Sequence, residues 1–209
     1  MAAPHGARAD KESSMLAIPR PLWVALAAAA LIGIAAPRTQ AATPDVPAQA
    51  APVQPADPFG EEVTLTAKPI VYLRGTATWD SAYESLVDAF KSVRGFLERE
   101  KITADGPAIT IYLATDDTGF QYHAAIPVAE PPKEIPRGDL AVGKSPEGKA
   151  LKFVHRGSYD AMDTTYDAIT NYLDQKGLEA KDLFIEQYVT DPVTMPEDKL
   201  VIEVYVPVK

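Results

Sequence analysis

The carboxyl-terminal two thirds of the chain contain one pattern written twice, and this repeat limits the possible folds more than any other feature. Residues 70–75 (IVYLRG) and 151–157 (LKFVHRG) are apolar strand segments that each end in Arg-Gly, where glycine permits a sharp turn. An aromatic residue and an aspartate follow each segment, at residues 79–80 and 159–160, and are well placed to open a helix. Each half is therefore predicted to begin with a strand and then a helix.

The rest of each half continues in parallel. Apolar residues recur at helical spacing over residues 83–97 and again over residues 162–173. Two predicted strands then close each half, at residues 108–114 and 119–128 in the first and at residues 183–190 and 200–208 in the second. The repeats cover about 61–128 and 145–209, and a Pro- and Gly-rich stretch at 129–148 links them.

Each half is thus read as a β-α-β-β unit, and one such unit is too small to cover its own sheet. We expect the two units to pack about a pseudo-twofold axis. The predicted fold class is α+β, with duplicated β-α-β-β units forming one antiparallel sheet and both helices on one side of it. The seam between the halves is a natural concave site for a small molecule.

Charge and composition exclude several classes of function. The chain has 209 residues and a net charge of -9, and residues 1–60 are neutral, so all of the excess acid lies in residues 61–209. An acidic surface argues against nucleic acid as a partner, because duplex binding needs Lys and Arg facing phosphate. There is no cysteine and there are only three histidines, so we expect neither a metal site nor a disulfide. No cofactor fingerprint is present either.

The amino-terminal region has the pattern of an export signal. Residues 22–36 are uncharged and follow Arg20, and they would span about 22 Å as a helix, which is short of the roughly 30 Å hydrocarbon core. We predict a signal peptide over residues 1–41, with an uncleaved membrane anchor as the alternative. Residues 42–60 are rich in Pro and Ala and are predicted to be an extended linker. The folded part is therefore expected to be periplasmic or secreted.

The strand at residues 183–189 contains the most unusual candidate residue. Period-two alternation places Phe184, Glu186 and Tyr188 on one face, so that two aromatic residues flank a carboxylate. We expect the alternate apolar residues to lie under the helices: Leu183, Ile185 and Val189. One interpretation is a solvated surface glutamate. The other is a partly desolvated carboxylate with a raised pKa, which would attract a cation or act as a general base.

Two further observations concern this face. Glu203 and Tyr205 alternate together on the last strand and are candidates to line the same face as Glu186. Alignment of the two halves puts Thr110 at the position that Glu186 occupies in the second half. Only one half therefore has the acid, and any chemistry is expected to be asymmetric.

The second half also carries an ordered run of motifs, strongest over residues 145–208. The motifs are His155-x-Gly157-x-Tyr159-Asp160, then Tyr166, Tyr172-Leu173 and Lys176-Gly177-Leu178, then Glu186-x-Tyr188-x-x-Asp191-Pro192 and the closing residues 202–208 (IEVYVPV). This run resembles the GyrI-like (gyrase-inhibitor-like) family, which is also known as the AraC-type effector-binding domain family. The resemblance extends over about 61–209.

The resemblance implies the same duplicated β-α-β-β fold and a role in binding small molecules. Relatives in AraC- and MerR-type activators sense bulky, lipophilic and often cationic compounds, and the glutamate of their Glu-x-Tyr motif faces the ligand. The matching residue here is Glu186, beside Tyr188. Some stand-alone relatives are hydrolases of strained cyclopropane compounds that use the same glutamate and an aromatic partner. This chain departs from the activators in its apparent export signal and in lacking a recognisable helix-turn-helix segment.

The first hypothesis is therefore an exported, stand-alone module that binds a small hydrophobic or cationic ligand. Glu186 would match the ligand's charge, and the predicted aromatic lining is Tyr188, Phe184, Tyr112, Tyr159 and Trp79. The second hypothesis is a hydrolase of strained hydrophobic compounds such as cyclopropanoids, with Glu186 and Tyr188 as its catalytic residues. The third is a non-enzymatic, partner-binding role in the envelope. Contact with a membrane is expected only through an uncleaved amino-terminal segment.

Overall fold

A computed structural model describes residues 59–133, 136 and 138–209 of the chain. The predicted signal peptide at 1–41 and nearly all of the predicted linker at 42–60 lie outside these residues, so both stay predictions. The strands of the described part are β1 (Glu61–Leu65), β2 (Pro69–Thr78), β3 (Ile109–Thr115), β4 (Gly119–Pro127), β5 (Leu140–Lys144), β6 (Gly148–Gly157), β7 (Phe184–Tyr188) and β8 (Leu200–Pro207). The helices are α1 (Ala82–Glu100) and α2 (Met162–Lys176). None of the helices in this part of the chain is long and apolar enough to cross a membrane.

The strands form one antiparallel sheet in the order β1-β6-β8-β7-β3-β4-β2-β5, which confirms the predicted α+β class. The six strands predicted from the sequence are all present, and β7 lies beside β3 at the centre of the sheet. Two further strands are not predicted from the sequence. They are β1, and β5 within residues 129–148, for which the sequence predicts a link between the halves. The strand order is symmetric. If β1 to β4 are exchanged with β5 to β8 and the order is read backwards, the same order results. Duplication of the sequence itself stays a prediction.

The connections at the ends of the sheet require it to curl. Leu65 of β1 lies opposite Gly148, and Pro69 of β2 lies opposite Lys144, so one antiparallel pairing continues across a three-residue interruption. In a flat sheet β1 and β2 would lie six strand spacings apart, about 29 Å. The four Cα steps from Leu65 to Pro69 span at most about 15 Å. The sheet is therefore strongly curved, which brings its two ends together.

Both helices pack against the same face of this sheet, as predicted. Leu86, Phe90 and Val93 of α1 recur at helical spacing, and they share one buried cluster with Ile169 and Leu173 of α2. A smaller apolar cluster lies on the opposite face of the sheet and consists of Ile70, Ile109, Ile111, Ala125 and Ile185. Burial of apolar side chains on both faces is what stabilises this arrangement.

This second cluster corrects the predicted orientation of β7. Ile185 was expected under the helices, but it lies in the cluster on the opposite face, and Leu183 packs against it there. Phe184 and Tyr188 instead pack in the cluster that contains the helices, and the side chain of Glu186 bonds to α2. The alternation was correct and the choice of face was wrong. Since both faces of the sheet bury apolar side chains, polarity along the strand did not distinguish them.

Candidate ligand-binding site

Glu186 occupies the middle of the sheet and is completely buried, with 0% of its surface exposed. It lies opposite Thr110 of β3 on one side and Val204 of β8 on the other. Strand β7 has a neighbouring strand on each side, and the helices pack on the face that Glu186 occupies. The local sequence therefore places a carboxylate where an ionised group is expensive unless it is hydrogen-bonded.

Four tyrosine hydroxyls lie within hydrogen-bond distance of this carboxylate. Oε1 accepts from Tyr166 at 2.8 Å, and Oε2 accepts from Tyr112 and from Tyr188 at 2.9 Å each. The hydroxyl of Tyr159 is 3.4 Å from Oε2 but 2.7 Å from that of Tyr112, so its single proton serves the shorter contact when Tyr112 donates to Oε2. Each carboxylate oxygen has two lone pairs, so Oε2 is fully bonded and Oε1 has one donor. We refer to Tyr112, Tyr159, Tyr166 and Tyr188 as the tyrosine cluster.

Each tyrosine reaches Glu186 from a different element. Tyr188 is two residues further along β7 and so points to the same face, while Tyr112 comes from the neighbouring strand β3. Tyr159 opens the short 3₁₀ turn that precedes α2, and its hydroxyl also bonds to that of Tyr112 at 2.7 Å. Tyr166 lies in the second turn of α2, three residues before the buried Ile169, so it faces the sheet.

Burial controls the protonation of the cluster. Burial raises the pKa of the Glu186 carboxyl above its ordinary value, and the hydrogen bonds from the four tyrosines oppose that rise. The pKa of each tyrosine is raised well above its ordinary value, first by burial and then by the negative charge of Glu186. The tyrosines therefore keep their protons and act as donors, and Glu186 is the group in the cluster that changes charge.

Further aromatic side chains surround the cluster. Phe184, a predicted site residue, packs edge to face with Tyr166 at a centroid distance of 5.9 Å. From α1, Phe90 packs edge to face with Tyr188 at 5.2 Å. Tyr83, also from α1, stacks on Tyr159 at 5.2 Å. The buried carboxylate thus lies in an aromatic shell built from both helices and the two central strands.

Trp79 is the predicted site residue that the structure places elsewhere. It opens the 3₁₀ turn before α1, its side chain is 44% exposed, and its indole Nε1 donates to the backbone oxygen of Asp116 at 2.8 Å. Its ring packs on Phe120, which in turn packs on Tyr112. Trp79 is therefore two ring contacts away from the tyrosine cluster. The repeat pattern aligns Trp79 with Tyr159, but the first half has Thr110 where the second half has Glu186.

Glu203 and Tyr205 are candidates from the sequence for the same face as Glu186, but they lie on the opposite face of the sheet. The Tyr205 hydroxyl donates to Glu203 at 2.6 Å, and the side-chain amide of Gln187 donates to the same carboxylate at 2.9 Å. Gln187 is the neighbour of Glu186 on β7, so its side chain points to the opposite face. These residues form a separate polar group that does not contact Glu186.

Sequence reasoning missed the part that Tyr166 has in the site. From the sequence, Tyr166 is a member of the helical stripe at 162–173 and of the family motifs, and neither gives it a role in the site. A tyrosine on the buried side of a helix needs an acceptor for its hydroxyl, and that requirement was the available signal. Thr110, which was read only as the counterpart of Glu186, is fully buried beside it, and its hydroxyl donates to that of Tyr188 at 3.5 Å.

The space beside the cluster is limited. A cavity of about 230 Å³ is lined by Tyr112, Leu113, Ala114, Thr115, Asp182 and Phe184, so it touches the cluster at Tyr112. Among the residues that the structure describes, no group of His, Cys, Asp or Glu is arranged to hold a metal ion. The chemistry available at the site is that of one buried acid, phenol hydroxyls and aromatic rings.

Solved structures share this fold. The C-terminal domain of EcmrR superposes with a TM-score of 0.61 at 15% identity, covering 72% of this chain and 96% of that one. EcmrR in its complex with DNA gives 0.62 at 15% identity, covering 72% of this chain but only 57% of EcmrR. An uncharacterized conserved protein from Listeria innocua gives 0.54 at 12% identity, covering 72% of this chain and 92% of that one. No curated protein sequence matches the chain.

The family assignment comes from the sequence. Residues 61–209 match the model of the GyrI-like small molecule binding domain, which is well over half of the chain. The match includes every strand and both helices of the described fold, together with Glu186 and the tyrosine cluster. The resemblance inferred from the motifs is thereby confirmed, and the chain belongs to the GyrI-like family of small-molecule-binding domains.

Proposed function

We propose that the chain binds a bulky lipophilic cation, with Glu186 as the group that recognises its charge. The family supports binding of a small molecule. The observation that carries the finer proposal is the buried carboxylate itself, surrounded by four tyrosine hydroxyls inside an aromatic shell. A negative charge without a positive partner in such surroundings is a strong attractor for a cation, because little solvent screens it.

The hydrogen bonds also favour one type of cation. Both oxygens of Glu186 accept from tyrosines, so a primary ammonium would compete with these donors for the carboxylate. A cation without N–H groups needs no acceptor from Glu186, since it interacts through charge and through the faces of aromatic rings. We therefore propose quaternary ammonium, phosphonium or delocalised aromatic cations as the ligand class.

Binding requires rearrangement of the tyrosine cluster. The cavity of about 230 Å³ at Tyr112 and Phe184 is smaller than the roughly 300–1,000 Å³ of sites for drug-sized ligands. Rotation of Tyr112 would connect this cavity to Glu186, since its hydroxyl is the direct link between them. Asp182 at the cavity wall adds a second negative charge on the proposed path of a cation.

Hydrolysis, the second hypothesis, has less support from the contacts. A general base must approach a water or a substrate atom, but tyrosine hydroxyls occupy both oxygens of Glu186. The tyrosines themselves have raised pKa values and are poor acids. Binding is accordingly the function that we propose.

We also propose that binding takes place outside the cytoplasm. The support is the uncharged segment 22–36 after Arg20 and the small-residue site at 39–41, with the linker 42–60 as a tether. Cell fractionation combined with amino-terminal sequencing tests this, and the expected mature protein begins at Ala42. Recovery of the intact chain from the cytosol would contradict it.

Calorimetric titration with tetraphenylphosphonium tests the ligand class, with triphenylphosphine oxide as a neutral analogue of similar rings. Removing the charge in Glu186→Gln is expected to weaken binding of the cation about thirtyfold, from roughly 2 kcal/mol of lost attraction. Affinity for the oxide should change little. Glu203→Gln is the matched control, because that carboxylate lies on the opposite face of the sheet. Equal affinity of the wild type and Glu186→Gln for the cation, or no binding by either, would refute the proposal.

A further inference from the structure

A second recess lies at the end of the first half, away from Glu186. It is a cavity of about 530 Å³ between the end of β2, the β3–β4 turn and the start of α1. Six of its lining residues carry hydroxyl groups: Thr76, Thr78, Ser81, Ser85, Thr115 and Thr118. Gln121 and Asp116 add an amide and a carboxylate, and Phe120 adds an aromatic surface. We refer to this recess as the hydroxyl groove.

The groove exists because the first half has small side chains and a short turn at this point. Ala77, Ala114 and Gly119 line it, and only residues 116–118 join β3 to β4. In the second half the equivalent connection, from β7 to β8, runs over residues 189–199. Val193 and Met195 of that connection pack against the main core. The groove is therefore a feature of one half alone.

The lining defines what kind of molecule fits. It contains no Lys, Arg or His, so an anion would find no positive partner there. Its single carboxylate is already engaged, because Oδ1 of Asp116 accepts from the backbone and hydroxyl of Thr118 and from the backbone of Gly119. Four of the six hydroxyls already bond within the lining, as Thr78 does with Ser81, Ser85 with Ser81, and Thr118 with Asp116. Hydroxyl oxygens can accept as well as donate, so the groove suits a neutral ligand that offers several donors at close spacing.

Trp79 contacts the lining of the groove through both its indole N–H and its ring. Its indole is held by the hydrogen bond to the backbone oxygen of Asp116, and one side of the ring packs on Phe120 at 4.9 Å. Asp116 and Phe120 both line the groove, and the residue Trp79 is 44% exposed. A large apolar ring held in one orientation can pack against the C–H face of a sugar at little entropic cost.

We propose that the hydroxyl groove, with Trp79 at its rim, binds a neutral carbohydrate of one or two sugar units. Such a molecule has hydroxyls on its edges and apolar C–H groups on its faces, which matches hydroxyl-lined walls next to an indole. The volume of about 530 Å³ lies within the range of small-molecule sites. The groove and the cavity beside Tyr112 share Ala114 and Thr115, whereas Thr76, Ser85 and Gln121 line the groove alone.

NMR titration of the full chain, labelled with ¹⁵N, tests the proposal with maltose, cellobiose and N,N′-diacetylchitobiose as probes. The reporter is the indole N–H of Trp79, assigned through the loss of its signal in Trp79→Phe. At least one disaccharide is expected to shift this signal saturably below about 50 mM. Glu186→Gln should bind the same sugar equally well, which separates this site from the proposed cation site.

Two substitutions test the contribution of the lining. Ser85→Ala and Thr76→Val each remove one hydroxyl from a residue that lines the groove and not the cavity beside Tyr112, and each is expected to weaken binding about two- to tenfold. Thr64→Val on β1 is the matched control and should bind as the wild type does, since Thr64 does not line the groove. The proposal is overturned if no probe shifts the Trp79 signal. It is equally overturned if both groove variants bind the sugar with unchanged affinity.

Discussion

Replacement of Tyr166 by phenylalanine isolates the hydrogen bond on which Oε1 of Glu186 depends. Tyr166 donates to that oxygen at 2.8 Å, whereas the other three tyrosine hydroxyls lie within hydrogen-bond distance of Oε2. Phenylalanine keeps the ring and its contact with Phe184. A hydrogen bond to a buried charged group contributes about 1.5–3 kcal/mol, so we expect Tyr166→Phe to lower the free energy of unfolding by that amount.

Tyr159→Phe is the comparison that makes this prediction specific. Tyr159 is 3.4 Å from Oε2, which has two closer donors, so its loss leaves the carboxylate well bonded. The change also removes the bond between the hydroxyls of Tyr159 and Tyr112, a neutral pair. We expect a cost of about 0.5–1.5 kcal/mol, which is smaller than for Tyr166→Phe.

Urea unfolding of the full chain, followed by circular dichroism from about pH 5 to about pH 9, measures both effects. Burial raises the pKa of Glu186 in the folded state, and loss of the Tyr166 donor raises it further. Because the carboxyl has a higher pKa in the folded than in the unfolded state, its ionisation disfavours folding. The stability is therefore fully present at low pH and is lost as the pH rises through the pKa of the folded state. The cost of Tyr166→Phe should therefore grow with pH. A cost that is independent of pH, or a larger cost for Tyr159→Phe, would refute the reasoning.

Three further predictions concern the site and the fold. Affinity for tetraphenylphosphonium, measured by calorimetry, should fall as the pH is lowered through the raised pKa of the buried carboxyl, while affinity for the neutral oxide stays constant. Gly119→Ala should cost about 1–3 kcal/mol in urea unfolding because its Cβ would contact the Ala77 carbonyl oxygen, whereas Gly95→Ala within α1 should stabilise by about 0.5–1 kcal/mol. Asp191→Asn removes an ion pair with Arg94, whose hydrogen bonds lower the pKa of Asp191 to about 2. Because the pair is partly exposed, we expect this change to lower the free energy of unfolding at neutral pH by only about 1 kcal/mol. In the wild type this contribution should be lost as the pH falls from about 4 towards 2, as acid unfolding would show.

The strands that could be predicted are those with a local signal. The six strands of the two β-α-β-β units have apolar alternation or Arg-Gly endings, and all six are present. Strands β1 and β5 have five residues each, and each pairs with a strand of the other half. Their formation depends on closure of the curved sheet, which is a long-range event that local periodicity does not report.

The carboxylate at the centre of the site could be predicted, but its surroundings could not. Alternation along β7 identified Glu186 between two aromatic residues, and the repeat identified Tyr112 and Tyr159. The prediction that Ile185 lies under the helices was wrong, because both faces of the sheet bury apolar side chains. Trp79 lies outside the tyrosine cluster, because similarity of the two halves does not make their sites equivalent when only one half has the acid.

The pairing of Thr110 with Glu186 explains why one acid, and not two, occupies the centre. These residues lie directly opposite each other on β3 and β7, both fully buried. An acid at both positions would place two like charges within one cross-strand pair. Thr110→Asp should therefore raise the pKa of both carboxyls, and it should cost about 3–5 kcal/mol at neutral pH by adding an uncompensated buried charge.

Thr110→Asn is the control for this prediction, because it has nearly the same shape as Thr110→Asp and no charge. A raised carboxyl pKa gives stability at low pH that is lost as the pH rises, so the difference between the two variants should shrink in acid. Urea unfolding from about pH 4 to about pH 8 measures that difference. If the two variants have the same stability at every pH, charge repulsion is not what keeps the threonine at this position.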